Sequence, residues 1–434
     1  MGPAALMADA APARVPPPRR SAIRRFLHAL GPGVVTGAAD DDPSGIAIYS
    51  IAGAQLGTSL LWTALLTWPL MAAVQMMCAR IGMVTGRGLT AGLRHKFPRW
   101  LVVACAVMLL VANAVNIGAD LSGMADAAEL FTGLGSHYWA VVFAVLISWA
   151  TIRFHYRSIA RVLKWLALVL LAYVATALLL HPDWRSVARD ALVPRLPATR
   201  NEWGTLVAIL GTTISPYLFF WQASQEVEEE KAMGRVTLGR RQGASPRELR
   251  SRRMDVGVGT FFSNLVMFFI ILTTALTLHR AGITDLQSSR QAALALKPLA
   301  GSLAAGLYAA GLIGVGLLAI PTLAGSAAYS LAETFGWKQG LDRSLRAAPR
   351  FYVVVVVAML GGIGLDFTNV NPLRALYWSA VLNGLLAPLL LVGILAVAVD
   401  ARLMEGQPSS WLSRVGVAFA TLLMLGAGVA MFAL

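Results

Sequence analysis

Residues 31–57 read GPGVVTGAADDDPSGIAIYSIAGAQLG, an apolar run interrupted at its middle by Asp40, Asp41, Asp42, Pro43, Ser44 and Gly45. Its length is that of a membrane-crossing helix, which needs roughly 20 mainly apolar residues. A carboxylate at the centre of a bilayer costs about 3 kcal/mol on insertion scales and more in simulations, so three in succession need a wet or ion-filled cavity. Pro43 brings no N–H to a helix, and Gly45 costs about 1 kcal/mol there relative to Ala. The stretch therefore predicts a membrane helix that unwinds where its acids lie.

The same device returns five spans later, in LVAILGTTISPYLFFWQASQEVEEE at 206–230, at Gly211, Thr212, Thr213, Ser215 and Pro216. An isolated Pro216 would read as an ordinary kink in a packed helix; the acids beside Pro43 and Gly45 do not. Interrupted helices at corresponding places in two halves point to a transporter's binding site, because freed carbonyls and half-helix ends can hold an ion at mid-membrane. The architecture expected is an all-α membrane protein of about eleven helices, built as an inverted five-plus-five repeat (31–181 and 203–399) with an extra helix at 411–433. Spacing alone carries the repeat; the halves share no visible identity.

Composition supports lipid as the solvent. Of 434 residues, 57% are hydrophobic and 13% charged, where soluble proteins carry about a quarter charged. Apolar segments fall near 31–54, 58–82, 100–128, 137–153, 160–181, 203–230, 255–279, 300–333, 351–370, 374–399 and 411–433, so 26–434 reads as a single transmembrane domain. The net charge of +14 is spread over the connections and not gathered in one domain, which speaks against nucleic acid as a partner. With the N-terminus inside, the tail and the even-numbered connections hold 28 of the 36 Lys and Arg. The positive-inside rule then places the N-terminus in the cytoplasm and the C-terminus outside a plasma (inner) membrane. Connection 182–202, with Arg185, Arg189, Arg195 and Arg200, runs against that bias. Residues 1–25 read as a disordered basic cytoplasmic tail, without the apolar core of a signal peptide. Cys78 and Cys105 lie in apolar segments as packing residues, and no nucleotide-binding loop or catalytic triad argues for an enzyme.

At this point the residues resemble the natural-resistance-associated macrophage protein family, the proton-coupled manganese and iron transporters. The family's GPG, eight residues, DPGN, seven residues and GAQ are matched in spacing by Gly31-Pro32-Gly33, Asp42-Pro43-Ser44-Gly45 and Gly53-Ala54-Gln55. The resemblance covers nearly the whole chain. It implies a LeuT-like fold, a divalent metal ion as cargo with no resident cofactor, and a metal set of Asp42, Ser44, Gly45, Thr212 and Ser215. Asp41, Asp120, Tyr217, Gln222 and Asn383 are expected around that set or along the ion's path, the chain acting as a monomer in the bilayer.

The departures from the family pattern bear on which ion. The family's DPGN reads DPSG here, and its sixth-helix Met-Pro-His reads Ser215-Pro216-Tyr217, so a soft thioether gives way to a hydroxyl. Oxygen donors suit magnesium, calcium and manganese, and magnesium usually keeps several of its waters. The pattern is similar to the magnesium-transporting branch of the family, with manganese compatible. The proton route is reduced as well. Asp120 matches the third-helix Asp, but the Glu one turn later is Gly123, and the sixth-helix histidines become Tyr217 and Gln222. His28, His95, His137, His155, His181 and His279 all fall at segment ends or in loops, which leaves no imidazole at mid-membrane. The expectation is a uniporter with little or no proton coupling. Proton-coupled manganese or iron symport and an organic-substrate transporter of the same fold are the alternatives, a non-transporting receptor a further one.

Weaker candidates flank the site. Gln222, Glu226 and Glu229 continue the face of Ser215 toward the cytoplasm, although the acidic run 226–230 reads first as a solvated helix end balanced by the basic loop after it. Asn264 and Asp366 are weaker still, and the methionines read as apolar filler.

Overall fold

Inside lipid a backbone must satisfy its own polar groups, so an apolar chain of this composition has helices or a closed barrel open to it. The computed structural model describes residues 36, 37, 39–154, 166–368 and 370–433, and among these it shows helices and no strand. The tail at 1–25, Gly31-Pro32-Gly33, His28 and His155 lie outside the described residues. Helical residues 36, 37, 39 and 40 precede α1 (Pro43–Leu56), then α2 (Leu61–Thr85), α3 (Arg99–Thr132) and α4 (Ser136–Arg153). There follow α5 (Leu171–Leu179), α6 (Arg200–Thr213), α7 (Pro216–Ala232), α8 (Pro246–Thr274), α9 (Ala304–Phe335), α10 (Pro349–Asp366), α11 (Pro372–Ala398) and α12 (Trp411–Ala433).

Taking α6 with α7 as one interrupted crossing, eight stretches among the described residues are long and apolar enough to span a membrane. The broken first segment, α4, and α5 with the turn of 3₁₀ helix before it complete the eleven expected segments. Both expected interruptions are present. Asp41 and Asp42 leave the helix between 40 and Pro43, and Ile214 and Ser215 leave it between α6 and α7.

Helix α1 lies at the centre, packed on α8, α11, α6 and α3, while α12 covers α11, α6 and α2. Small residues permit the closest crossings. A Cβ on Gly211 would sit 2.1 Å from the Ala380 carbonyl oxygen and 2.3 Å from the Gly384 nitrogen, so α6 and α11 touch backbone to backbone. Gly37 meets Gly259 of α8 in the same way, a Cβ there lying 2.4 Å from the Gly259 carbonyl.

Several connections hold structure that hydropathy does not announce. Residues 89–96 form the short helix Leu89–Lys96, and the stretch 182–202 contains Trp184–Leu192, N-capped by the Asp183 carboxylate. That stretch is tied to the bundle by Trp62, whose Nε1 donates to the Arg195 carbonyl at 3.2 Å, while Arg195 pairs with Asp190 at 3.1 Å. Helix α8 starts nine residues earlier than the apolar run at 255, because Ser245 and Glu248 form a capping box around Pro246. The acidic run 226–230 differs most from expectation. Glu226, Glu228 and Glu230 are buried, since α8 lays Arg252 against this end of α7 instead of leaving it in solvent.

Candidate metal site

Pro43 opens α1 and cannot continue the preceding helix, so Asp42 is left extended (φ −72°, ψ 171°) as the N-cap, its Oδ1 accepting the Gly45 N–H at 2.7 Å. A carboxylate at this position meets the unpaired N–H groups and positive end of the helix dipole. Its other oxygen faces a ring of polar groups. Asn116 Nδ2 of α3 donates to Asp42 Oδ2 at 3.3 Å, and the Tyr217 hydroxyl lies 3.5 Å from it while donating to the Ala39 carbonyl at 2.9 Å. Ser44 Oγ is within 3.0 Å of Asp120 Oδ1, 3.3 Å of Asn116 Oδ1 and 3.2 Å of Ser379 Oγ on α11.

The second break contributes from the opposite side. Ser215 Oγ reaches back to the Gly211 carbonyl at 2.8 Å and the Thr212 carbonyl at 2.7 Å, taking up acceptors that the end of α6 leaves without amide partners. Thr212 Oγ1 comes close to Gly45, 3.2 Å from where a Cβ would stand, and is without a hydrogen bond among the described residues. Gly45 thus holds the space in which helices one and six face each other.

Two further acids stand behind Asp42. The Ser263 hydroxyl of α8 lies 2.7 Å from Asp40 Oδ2 and 3.1 Å from Asp41 Oδ1. Asp40, Asp41, Asp42 and Asp120 are all buried, and among the described residues none forms an ion pair with Lys, Arg or His. Asp40 Oδ1, Asp41 Oδ2 and Asp120 Oδ2 lack hydrogen-bond donors there. An unpaired buried carboxylate is strongly disfavoured, and four around two helix breaks make a place that a cation stabilises. No group of three or more His, Cys, Asp or Glu forms a metal cage among the described residues; the donors combine carboxylates with amide, hydroxyl and carbonyl oxygens, a set suited to hard cations.

Asp42, Ser44, Gly45, Thr212, Ser215, Asp41, Asp120 and Tyr217 all lie at or directly behind the two breaks. Gln222 and Asn383 stand apart. Gln222 points along α7 to Glu226, donating to its Oε1 at 2.7 Å. Asn383 is buried one turn beyond Ser379 and makes no hydrogen bond to the cluster among the described residues. Asn116, Ser379 and Ser263 were not picked out by the sequence. Asn116 was findable, since Asn113, Asn116 and Asp120 recur at i, i+3 and i+7 on one face of an otherwise apolar helix; single serines on α8 and α11 carry no such signal. The weaker candidates are occupied structurally. Asn264 accepts from Thr67 at 2.7 Å, and Asp366 binds Ser122 and His137, each at 2.8 Å.

A family model described as natural resistance-associated macrophage protein-like matches residues 33–434. Among curated relatives, the divalent metal cation transporter MntH of Yersinia enterocolitica is 26% identical over 415 residues, covering 94% of this chain and 95% of that protein. The MntH of Deinococcus radiodurans is 29% identical over 293 residues, 65% of this chain and 64% of that protein. Among solved structures, an Eremococcus coleocola manganese transporter bound to an aromatic bis-isothiourea compound aligns with a TM-score of 0.75 at 17% identity, covering 95% of this chain and 89% of that one. The nucleobase-cation-symport-1 transporter Mhp1 aligns at a TM-score of 0.55 and 14% identity over 93% of this chain and 92% of its own, a likeness of fold alone.

Proposed function

The chain belongs to the natural resistance-associated macrophage protein-like family, whose members are transporters and not enzymes, and from that premise we propose that it carries a hard divalent cation, magnesium or manganese, by alternating access at Asp42. The observation that carries this reading is the uncompensated carboxylate group at the two helix breaks, with Ser44, Thr212 and Ser215 offering oxygen. Asp42 is the anchor. Ser44, Thr212, Ser215 and the second lone pairs of backbone carbonyls at the two breaks complete an oxygen set that tolerates a partly hydrated ion. Manganese is the cargo named for the Eremococcus relative, and replacement of sulfur by the Ser215 hydroxyl extends the choice toward magnesium.

The same reading makes the transporter a monomeric uniporter of the plasma (inner) membrane, with the N-terminus and the basic 231–254 connection in the cytoplasm. The described histidines support weak proton coupling, since His95, His137, His181 and His279 stand at helix ends or in loops. Inward movement is then driven by the membrane potential, worth about 2.3 kcal/mol per charge per 100 mV. Proton symport is the second reading, and Asp120, joined to the site through Ser44, is what favours it. Protein reconstituted in liposomes with an internal pH dye separates the two. Magnesium or manganese influx that follows the imposed potential without acidifying the lumen supports the uniporter, and metal-evoked acidification overturns it.

A further inference from the structure

The connection between α9 and α10 carries Lys338, Arg343 and Arg346 with the acid Asp342, and Arg350 follows in the first turn of α10. It is held against both helices. The Tyr329 hydroxyl accepts the Leu341 N–H at 3.1 Å, and the Tyr352 hydroxyl donates to the Arg343 carbonyl at 2.7 Å. Gln339 Nε2 donates to the buried Glu333 at 3.1 Å. The basic groups are thereby fixed at the end of the bundle assigned above to the cytoplasm.

Between this connection and α10 lies a cavity of about 380 Å³, with Trp337, Lys338, Ala348, Pro349 and Arg350 in its wall and no acid among the residues lining it. The Trp337 indole stacks on Phe335 with ring centroids 5.1 Å apart, and the Arg350 guanidinium lies over it at 5.7 Å, within range of a cation–π attraction. A second cavity, of about 500 Å³, shares Trp337 and Lys338 and adds Lys231, Arg241 and Arg343 with the acids Glu228 and Asp342. Both acids line that cavity alone, and Glu228 pairs there with Lys231 at 2.8 Å. Arg350 also heads an apolar stripe. Val353, Val357 and Leu360 follow it at i+3, i+7 and i+10 on one face of α10 and are 59%, 50% and 61% exposed, as side chains turned to acyl chains would be.

We propose that Trp337, Lys338 and Arg350 form a site for the phosphodiester headgroup of an anionic phospholipid, whose acyl chains lie along Val353, Val357 and Leu360. Basic pockets between membrane helices at the cytoplasmic side take such headgroups, and indole rings concentrate at headgroup level. The Arg350 guanidinium is a planar donor that matches phosphate oxygens, and the Lys338 ammonium adds a point charge beside it. A free phosphate would engage the two cations and leave the stripe below them without a role; a lipid engages both. The site stands whatever ion is carried at Asp42.

The test is native mass spectrometry of the full chain in a neutral detergent, titrated with phosphatidylglycerol or with phosphatidylcholine of the same acyl chains. Wild type should retain phosphatidylglycerol in preference. A basic residue near a membrane surface is worth about fivefold in affinity. Lys338→Gln with Arg350→Gln should therefore weaken phosphatidylglycerol binding roughly 25-fold and leave phosphatidylcholine unchanged, while Arg350→Lys should keep most of the affinity. Should the double variant not be monodisperse, Lys338→Gln alone, at about fivefold, decides. Arg240→Gln with Arg247→Gln removes the same charge from the 231–254 connection, outside both cavities, and should change nothing. Equal weakening by the two pairs would mean a diffuse surface attraction, and displacement of the lipid by an equal concentration of inorganic phosphate a free-anion site. Either overturns the proposal, as does a wild type without headgroup preference.

Discussion

Position 215 turns a sulfur-bearing pattern into an oxygen one. The hydroxyl there is held by two carbonyls at the end of α6, so the site is small and hard at the sixth-helix break. Ser215→Met should add cadmium binding that wild type lacks, measured by calorimetry, with little loss for manganese; unchanged cadmium affinity would show that the ion is selected elsewhere. Asn116 is the other residue to test, because its amide is a donor to the free side of Asp42. A hydrogen bond to a charged group contributes about 1.5–3 kcal/mol, so Asn116→Ala should change manganese affinity tenfold or more, and Asn116→Asp should partly restore it by adding charge. Asp42 and Ser44 were legible in the sequence because acid, Pro and Gly coincide within one apolar run. Asn116 was legible only as part of a polar face on α3 and Ser379 not at all, since the rotation and depth of α3 and α11 are set by packing against α1, which local periodicity does not contain. The same limit explains Gln222, which shares the face of Ser215 but lies too far along α7 to reach Asp42.

At the level of helices, the two breaks function only if their stubs are held in contact. Gly211 does this for α6 and α11. Adding a methyl 2.1 Å from the Ala380 carbonyl oxygen forces the backbones apart, and overpacking of this kind costs about 1–3 kcal/mol or more. Gly211→Ala should lower the thermal unfolding midpoint and weaken metal binding together, because Thr212 and Ser215 move with the helix; a variant as stable and as tight as wild type would refute the close crossing. The interruptions themselves were readable, since proline and glycine act locally. The start of α8 was not, because a capping box extends it nine residues beyond its apolar stretch. The acidic end of α7 was misread for a related reason. The basic stretch after it does supply the balancing Lys231, Arg235 and Arg252, but α8 folds back against α7 and buries these pairs, which a local reading of five Glu-rich residues as solvated does not contain.

Across the whole molecule, buried charge organises the bundle. Four buried acids stand at the centre without a basic partner among the described residues, and three more pair with the buried Arg252 between α7 and α8. Fold class and span count were legible because lipid imposes helices of a fixed length on an apolar chain. The proposed ion and its coupling turn on a few side chains around Asp42, and flux measurements test both. The decisive experiment is divalent influx into proteoliposomes at a fixed potential, wild type beside Asp42→Asn. Wild type should carry magnesium or manganese at a rate that rises with the potential, and Asp42→Asn should fall to the level of empty liposomes; equal flux in the two would mean that the carboxylate at the first break does not hold the ion.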